Sequence, residues 1–170
     1  VAVGSTMYGL ATRSGQRKWF IQLPSEAAST PATDGSNIYV ACHDKKLYCY
    51  NVAGRIPALK WTEPADIGGA PLSSPTVADQ MVYVTGSRGV VSAFSTIDGS
   101  LKWRYAFMLL AVTVSNTAMM AAACSLVVSP AKICGMTAEG VLTCFTKMDP
   151  DRPQPGVYSI TPTNGKHTPA

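Results

Sequence analysis

The side chains with the clearest capacity for chemistry stand in two short charged turns. His43, Asp44 and Lys45 follow one another between two hydrophobic runs, and Arg88 lies in a second turn of the same kind. Neighbouring side chains on an extended chain point apart, so His43 and Asp44 are not expected to work as an acid–base pair. We therefore predict that these four residues contact a binding partner, with ordinary hairpin turns as the alternative interpretation.

Thiol or metal chemistry is a second possibility. None of the five cysteines belongs to a CxxC pair: they are Cys42, Cys49, Cys124, Cys134 and Cys144. With only two histidines in the chain, a zinc site is not expected. An odd number of cysteines without framework spacing favours buried free thiols in a reducing compartment, which points to the cytoplasm. A local disulfide between Cys42 and Cys49 across a predicted hairpin is the alternative.

Other kinds of catalysis lack their usual residues. The sequence contains no serine nucleophile elbow, phosphate-binding loop or zinc-binding helix. Its ten acidic residues are spread thinly, and Asp34, Asp79 and Asp98 fall in predicted turns. The net charge of +4 is mild and the basic residues are scattered, which argues against a nucleic-acid surface. We expect no catalytic residue, no metal and no cofactor.

The elements that must position the charged turns are repeated along the chain. Trp19, Trp61 and Trp103 are spaced 42 residues apart, and each one closes a similar stretch of sequence. A period of about 40–50 residues is typical of the four-stranded blades of β-propellers. A tryptophan at the same place in every blade fills the space between neighbouring blades. We predict that all three tryptophans are structural.

The predicted fold is all-β: a partial β-propeller of about three to four four-stranded antiparallel blades. The third copy of the repeat is the best formed, with strands at 81–85 and 90–94 and a tight turn at Asp98-Gly99. The first copy lacks its opening strand, and Tyr158 is nearest to the tryptophan position of the fourth. The predicted blade units within domain 1–147 span about 1–24, 25–66, 67–110 and 111–147.

Two segments depart from the repeat. Residues 105–131 carry no charge, and a run of about 20 apolar residues can span a bilayer. Polar residues interrupt this run in phase with the repeat, so we predict two buried strands around a polar turn, with a membrane helix as the alternative. Prolines are frequent in residues 148–170, which are predicted to be a tail without a regular sheet.

The repeat resembles that of the pyrroloquinoline-quinone-like, or quinoprotein-type, β-propellers. The resemblance rests on a strand reading LYCY or VSAF followed by Gly-x-x-x-Trp, as in 15–19 and 99–103. A Ser-Pro pair, Ser74-Pro75, opens the next copy. Families with this repeat include quinoprotein dehydrogenases, outer-membrane assembly lipoproteins, luminal sensors of unfolded-protein kinases, and the C-terminal propeller of an acyl-activating enzyme family. Residues 40–48 look most like the last of these.

The resemblance implies a ring of six to eight blades, whereas this chain supplies fewer. Open blade edges invite association, so the expected partners are a protein or the remaining propeller blades. We expect a non-catalytic binding or scaffold module within a larger chain or complex, without a nucleic-acid or membrane partner. The alternatives are a fragment of a quinone-dependent dehydrogenase, a fragment of the propeller region of an acyl-activating enzyme, or a membrane-complex subunit.

Overall fold

Four antiparallel β-sheets make up the part of the chain that the structure describes. The computed structural model describes residues 1–87, 90–106, 126–128, 132–136, 142–146 and 157–160. Within these ranges there are sixteen strands and no α-helix. The all-β class and the three to four blades predicted from the sequence are therefore confirmed.

The sheets are numbered 1 to 4 in chain order. Sheet 3 shows how the sequence forms one blade. Its strands, in chain order, are β9 (Thr76–Ala78), β10 (Met81–Gly86), β11 (Val90–Ser95) and β12 (Leu101–Ala106). Asp79 and Gln80 both have positive φ values, 50° and 60°, which gives the reversed turn that a two-residue hairpin needs. Val82, Val84 and Phe94 are β-formers buried at 0–1% exposure, so the strands are packed on a core rather than on water.

The other three sheets repeat this order with local changes. Sheet 1 has three strands: β1 (Ala2–Val3), β2 (Thr6–Leu10) and β3 (Arg17–Gln22). Sheet 2 has five: β4 (Ala32–Thr33), β5 (Asn37–Ala41), β6 (Lys46–Asn51), β7 (Ala58–Leu59) and β8 (Ala65–Asp66). Sheet 4 has four: β13 (Val127–Val128), β14 (Lys132–Met136), β15 (Leu142–Thr146) and β16 (Val157–Ile160). In sheet 2 the outermost strand is broken, because β7 and β8 pair with opposite ends of β6.

The sheets are arranged side by side like the blades of a propeller. The edge strands β4, β9 and β13 belong to three different sheets, and β9 contacts both of the others. These three edges therefore meet. Such stacking buries both faces of a sheet that could not bury them alone.

The tryptophan position is the same in sheets 1 and 3 by strand register, whereas Trp61 of sheet 2 lies between β7 and β8. Trp19 lies opposite Gly9, and Trp103 lies opposite Ala93, in both cases one step past a β-bulge. In sheet 4, Tyr158 lies opposite Cys144, which is the corresponding pair. The prediction that Tyr158 takes the tryptophan position is confirmed at the level of strand register.

Three apolar layers between the sheets form the core. The layer between sheets 1 and 2 contains Met7, Leu23, Val40, Cys42, Tyr48 and Tyr50, with Trp19 partly buried against them. The layer between sheets 2 and 3 contains Tyr39, Ala41, Leu47, Cys49, Trp61, Ala65, Ile67, Val82, Val84 and Phe94. The layer between sheets 3 and 4 contains Tyr83, Val91, Ala93 and Leu126, with Trp103 packed against them. Each layer thus includes one tryptophan.

The predictions for the two segments that depart from the repeat, 105–131 and 148–170, compare differently with the structure. Of residues 105–131, the ends belong to β12 and β13, and most of the rest lies outside the described residues. Among the described residues, none forms a helix of the length and apolarity needed to cross a membrane. In segment 148–170, the expectation of no regular sheet is wrong for Val157–Ile160, because these residues pair with β15 and supply a fourth strand to sheet 4. The domain boundaries themselves stay a prediction.

Candidate functional site

One rim of the molecule gathers the predicted binding turn and the connections between sheets. The backbone N–H of His43 donates to the carbonyl of Glu26 (2.9 Å), and the N–H of Ile67 donates to the carbonyl of Lys45 (3.0 Å). The N–H of Ala27 donates to the carbonyl of Gly4 (2.9 Å). We call this surface the hairpin rim, defined by residues 4–5, 26–27, 43–45, 66–69 and 87. The turns at 4–5 and 43–45 therefore lie together with segments 26–27 and 66–69, which link one sheet to the next.

The turn at 43–45 is held in one shape by its own residues. Oδ1 of Asp44 accepts a hydrogen bond from the N–H of Lys46 (3.1 Å), and Oδ2 accepts one from the hydroxyl of Tyr48 (2.7 Å). Lys45 has a φ of 67°, in the left-handed region that a side chain rarely adopts. Burial, and then the Asp44 hydrogen bond, raise the pKa of Tyr48, so its hydroxyl stays a donor. The exposed side chains of His43 and Lys45 are thus presented on a fixed backbone.

Beside this turn, Arg104 stabilises the connection between sheets 2 and 3 through hydrogen bonds. Nε of Arg104 donates to Oγ of Ser92 (2.9 Å), and its Nη2 donates to the carbonyl of Asp66 (2.5 Å). Oγ of Ser92 in turn donates to the carbonyl of Ile67 (2.9 Å). Gly68 has a φ of 85°, and a methyl group there would lie 2.6 Å from Cζ of Arg104. Sequence reasoning missed this cluster, and the Gly68-Gly69 pair was the one available signal.

At the rim opposite the hairpin rim, aspartate side chains stabilise the turn between β4 and β5 and the turn between β11 and β12. Asp34 accepts hydrogen bonds from the N–H groups of Ser36 and Asn37, from the Asn37 amide and from the Tyr39 hydroxyl, all within 2.7–2.9 Å. Partial burial alone would raise the pKa of Asp34, but these bonds outweigh it and lower the pKa to about 2. Hydrogen bonds from the Ser100 backbone and then its side chain likewise lower the pKa of Asp98 to about 2. The prediction of both aspartates in turns is confirmed.

The Trp61 layer shows how one sheet covers the next. Trp61 is 2% exposed, and its Nε1–H donates to the carbonyl of Thr96 in sheet 3 (3.3 Å). A methyl group at Gly99 would lie 2.7 Å from Cδ2 of Trp61, so the turn of sheet 3 rests directly on the indole. On its other side, Tyr39 packs against Trp61 with ring centroids 5.7 Å apart. The Tyr83–Trp103 pair in sheet 3 repeats this contact at 5.9 Å.

A family model described as "Outer membrane protein assembly factor BamB" matches residues 3–144, which is most of the chain. The chain belongs to this family. The resemblance to quinoprotein-type propeller repeats is thereby confirmed, while the weaker likeness to an acyl-activating enzyme stays a prediction.

Individual relatives agree with this assignment. The BamB protein of Moranella endobia (strain PCIT) is 30% identical over 80 residues, which are 47% of this chain and 20% of that protein. The crystal structure of BamB from Moraxella catarrhalis superposes with a TM-score of 0.66 at 17% identity, over 85% of this chain and 45% of that one. The β-propeller domain of Cps50 (Swd1) from Myceliophteria thermophila gives 0.64 at 6% identity, over 95% and 53%. The chain thus spans about a fifth of the curated relative and under half of the BamB structure.

The predicted site residues of this BamB-family chain are distributed as follows. His43, Asp44 and Lys45 lie together and exposed on the hairpin rim, while Arg88 lies outside the described residues. Their role in binding stays a prediction. Trp61 is buried, and Trp19 and Trp103 are partly buried in their layers. Their stabilising role stays a prediction.

Three cysteines of this BamB-family chain are described in a definite state, while Cys124 lies outside the described residues. Cys42 and Cys49 are buried and free, so the alternative of a disulfide between them is wrong. Burial, to which Asp44 adds in the case of Cys42, raises the pKa of each thiol to about 12. Cys134 is disulfide-bonded, so the prediction of free thiols is wrong for this residue. Among the described residues, no three histidine, cysteine or acidic side chains are grouped so that they could hold a metal ion.

Proposed function

We propose that this chain is a non-catalytic propeller module that binds a protein partner during the assembly of outer-membrane proteins. The observation that carries the proposal is the family match over residues 3–144. The relatives are described as outer-membrane protein assembly factors, which work on or beside other proteins. Propellers offer the turns of several blades at one rim, where a partner can touch them together.

The hairpin rim has the properties of a protein-binding surface. It presents both signs of charge on exposed side chains, namely Glu26, Asp44, Lys45 and Asp66. The hydrogen bonds of Asp44 fix the turn before a partner arrives. A preordered loop loses little conformational entropy on binding, which favours affinity. Charges of both signs also favour a partner with a complementary pattern over a uniformly charged polymer such as nucleic acid.

The disulfide at Cys134 supports a place for this function outside the cytoplasm. Disulfides persist in oxidising compartments such as the bacterial periplasm and are rare where thiols are kept reduced. We expect the Cys134 peptide to be cross-linked when protein isolated from cells is alkylated without reduction and mapped by mass spectrometry. If that peptide is alkylated quantitatively without a reductant, the proposed compartment is wrong.

A complementation experiment tests the function. The gene is deleted in its native host, and the amount of folded β-barrel protein in the outer membrane is measured by heat-modifiable gel mobility. Deletion should lower that amount, and the unaltered gene should restore it. Unchanged barrel levels after deletion would contradict the proposal.

Charge reversal on the rim then locates the partner contact. The double variant His43→Glu with Lys45→Glu should restore folded barrels poorly, because it places two further carboxylates beside Asp44 in the exposed turn and removes its lysine. Arg13→Glu is the matched control: Arg13 is also exposed, but it lies in the turn between β2 and β3, away from the hairpin rim. Both variants should melt within about 2 °C of the unaltered chain, since surface substitutions rarely change stability by more than about 0.5 kcal/mol. Equal complementation by both variants would remove the turn from the binding surface.

A further inference from the structure

A lysine stands directly before each tryptophan of the repeat. Lys18, Lys60 and Lys102 are therefore spaced 42 residues apart, and all three are exposed. Each one lies in or next to the outer strand of its sheet, close to the rim opposite the hairpin rim. The function proposed above uses none of these lysines.

The three lysines belong to a basic surface. We call it the outer-turn surface and define it by residues 11–18, 52–60 and 96–102, which contain the turn before the outer strand in each of sheets 1 to 3. These residues include six of the chain's 14 basic residues but only one of its ten acidic residues, Asp98. The net positive charge of the outer-turn surface thus exceeds the +4 of the whole chain, and the remainder of the chain is net negative.

The same surface exposes aliphatic side chains. Outside sheet 1, the described residues include five exposed large hydrophobic side chains; four lie on the outer-turn surface, and the fifth is Leu72. Ile56 and Ile97 are 75% and 68% exposed in the turns. Leu59 and Leu101 are 51% and 46% exposed at the same register position, on faces turned towards a described neighbouring sheet. Their exposure is therefore not caused by a sheet that lacks a neighbour.

The outer turns of sheets 2 and 3 are in contact with each other. Nζ of Lys60 donates to the carbonyl of Thr96 (3.0 Å), and the indole N–H of Trp61 donates to the same carbonyl (3.3 Å). Ile97 follows Thr96 directly, and its backbone N–H donates to Oγ of Ser95 (3.2 Å). An ammonium group has three donors, so Lys60 has two further donors for a ligand. Basic and aliphatic side chains of two sheets thus lie side by side on turns of fixed shape.

We propose that the outer turns of sheets 2 and 3 dock on a lipid surface that carries anionic headgroups. Basic side chains are attracted to such headgroups, and exposed aliphatic side chains among them enter the boundary between headgroups and acyl chains. The basic residues of sheet 1 add to the attraction at longer range. The contact is separate from the hairpin rim, which presents charges of both signs, and it does not depend on the protein partner proposed above.

Two aspartates limit how the sheets meet the lipid. Asp34 and Asp79 lie in the inner turns of the same rim, between β4 and β5 and between β9 and β10. Anionic headgroups repel carboxylates, so the molecule should touch the lipid with the outer edge of this rim rather than with all of it. Such a contact lies on the bilayer surface and needs no spanning segment. It departs from the sequence-based expectation of no membrane partner, because the basic residues of the three copies come to one surface only in the folded chain.

Vesicle sedimentation tests the contact. At low salt the purified chain should bind vesicles that contain phosphatidylglycerol at least about tenfold more tightly than vesicles of phosphatidylcholine alone, because only the former are anionic. Raising the salt concentration should weaken this binding, because salt screens the attraction. Equal binding to both kinds of vesicle would overturn the proposal. No binding to either would also overturn it, and would favour an acidic protein segment as the occupant.

Charge reversal determines which surface binds the lipid. Arg55→Glu with Lys102→Glu should weaken binding to the anionic vesicles by about tenfold or more, since each basic residue near such a surface contributes to the attraction. Lys45→Glu with Lys46→Glu is the matched control, because it changes the net charge equally but lies at the hairpin rim. Circular dichroism should show both variants folded. Equal weakening by the two variants, or no weakening by the first, would contradict the assigned surface.

An environment-sensitive fluorophore tests whether the aliphatic side chains enter the lipid. Ile97→Cys, labelled at the new thiol, should give blue-shifted and brighter emission when anionic vesicles are added. His43→Cys is the control, because His43 is exposed at the hairpin rim. The unaltered chain, treated in the same way, gives the background from its own cysteines. A shift at both positions, or at neither, would overturn the proposed docking geometry.

Discussion

The layer between sheets 2 and 3 and the layer between sheets 1 and 2 are built from the same repeat but are filled differently. Trp61 is 2% exposed in the first of these layers, whereas Trp19 is only partly buried in the second. The turn of sheet 3 rests on Trp61 through Gly99 and accepts its indole N–H at Thr96. Trp19 instead lies against Gly9 of its own sheet.

The difference in burial between Trp19 and Trp61 is explained by one turn of the sheet that follows each of them. That turn lies between β6 and β7 in sheet 2 and between β11 and β12 in sheet 3. Tyr50 pairs with Leu59 in sheet 2, whereas Phe94 pairs with Leu101 in sheet 3, so the sheet 2 turn is two residues longer. Ile56 in that longer turn is 75% exposed rather than packed on Trp19. The repeat therefore sets where a tryptophan stands, and the neighbouring turn sets how deeply it is buried.

Trp61→Ala should have the largest effect on stability. Emptying a buried aromatic site costs about 3–5 kcal/mol, and the Thr96 carbonyl also loses one of its two donors, keeping Nζ of Lys60. Urea denaturation followed by circular dichroism measures the free energy of unfolding. A loss below about 1 kcal/mol would show that the layer between sheets 2 and 3 is not packed as described.

Gly99→Ala should cost about 2–5 kcal/mol. The methyl group would meet Trp61 at 2.7 Å, and overpacking adds about 1–3 kcal/mol to the cost of a positive φ. Gly35→Ala is the matched control, because Gly35 has a φ of 97° and open space around it. The control should lose about 1–2 kcal/mol from backbone strain alone. Equal losses in the two variants would mean that Gly99 does not touch the indole.

Trp19→Ala should cost about 1–3 kcal/mol, less than Trp61→Ala. The indole of Trp19 is partly exposed, so its removal exposes less apolar surface and leaves a site that water can enter. The same urea experiment gives the comparison. Equal losses for Trp19→Ala and Trp61→Ala would remove the distinction between the two layers.

Asp34→Asn should have the smallest effect, about 1 kcal/mol at pH 7 once solvent screening is allowed for. The folded chain holds the pKa of Asp34 at about 2, below its ordinary value of 3.8. The stabilisation is therefore present above about pH 4 and is lost as the pH falls from there to about 2. Unfolding measured from pH 7 to pH 2 should show a shallower acid loss in the variant. Parallel curves would contradict the role of the Asp34 hydrogen bonds.

Much of the fold follows from the sequence because the repeat is periodic. The strands predicted at 81–85 and 90–94 agree with β10 and β11 to within one residue at each end. Tyr158 is the nearest candidate for the tryptophan position of the fourth copy, although it lies beyond the 42-residue spacing and the prolines around it favour a tail. Proline argues against the interior of a strand, yet four residues between prolines suffice for an outer strand.

The features that escaped prediction depend on contacts between distant residues. The break in the outer strand of sheet 2 follows from Trp61 turning into the core between β7 and β8. The contacts of Arg104 with Ser92 and Asp66 join residues up to 38 positions apart. No local sequence pattern indicates such a contact.

Hydrogen exchange at the three indole N–H groups tests the central claim most directly. The chain has three tryptophans, so NMR should resolve three indole signals, which Trp→Phe variants assign. The N–H of Trp61 is buried and donates to Thr96 of the next sheet, so it should exchange the slowest, by at least an order of magnitude relative to Trp19. Equal exchange at Trp61 and Trp19 would contradict a blade stack in which the neighbouring turn decides burial.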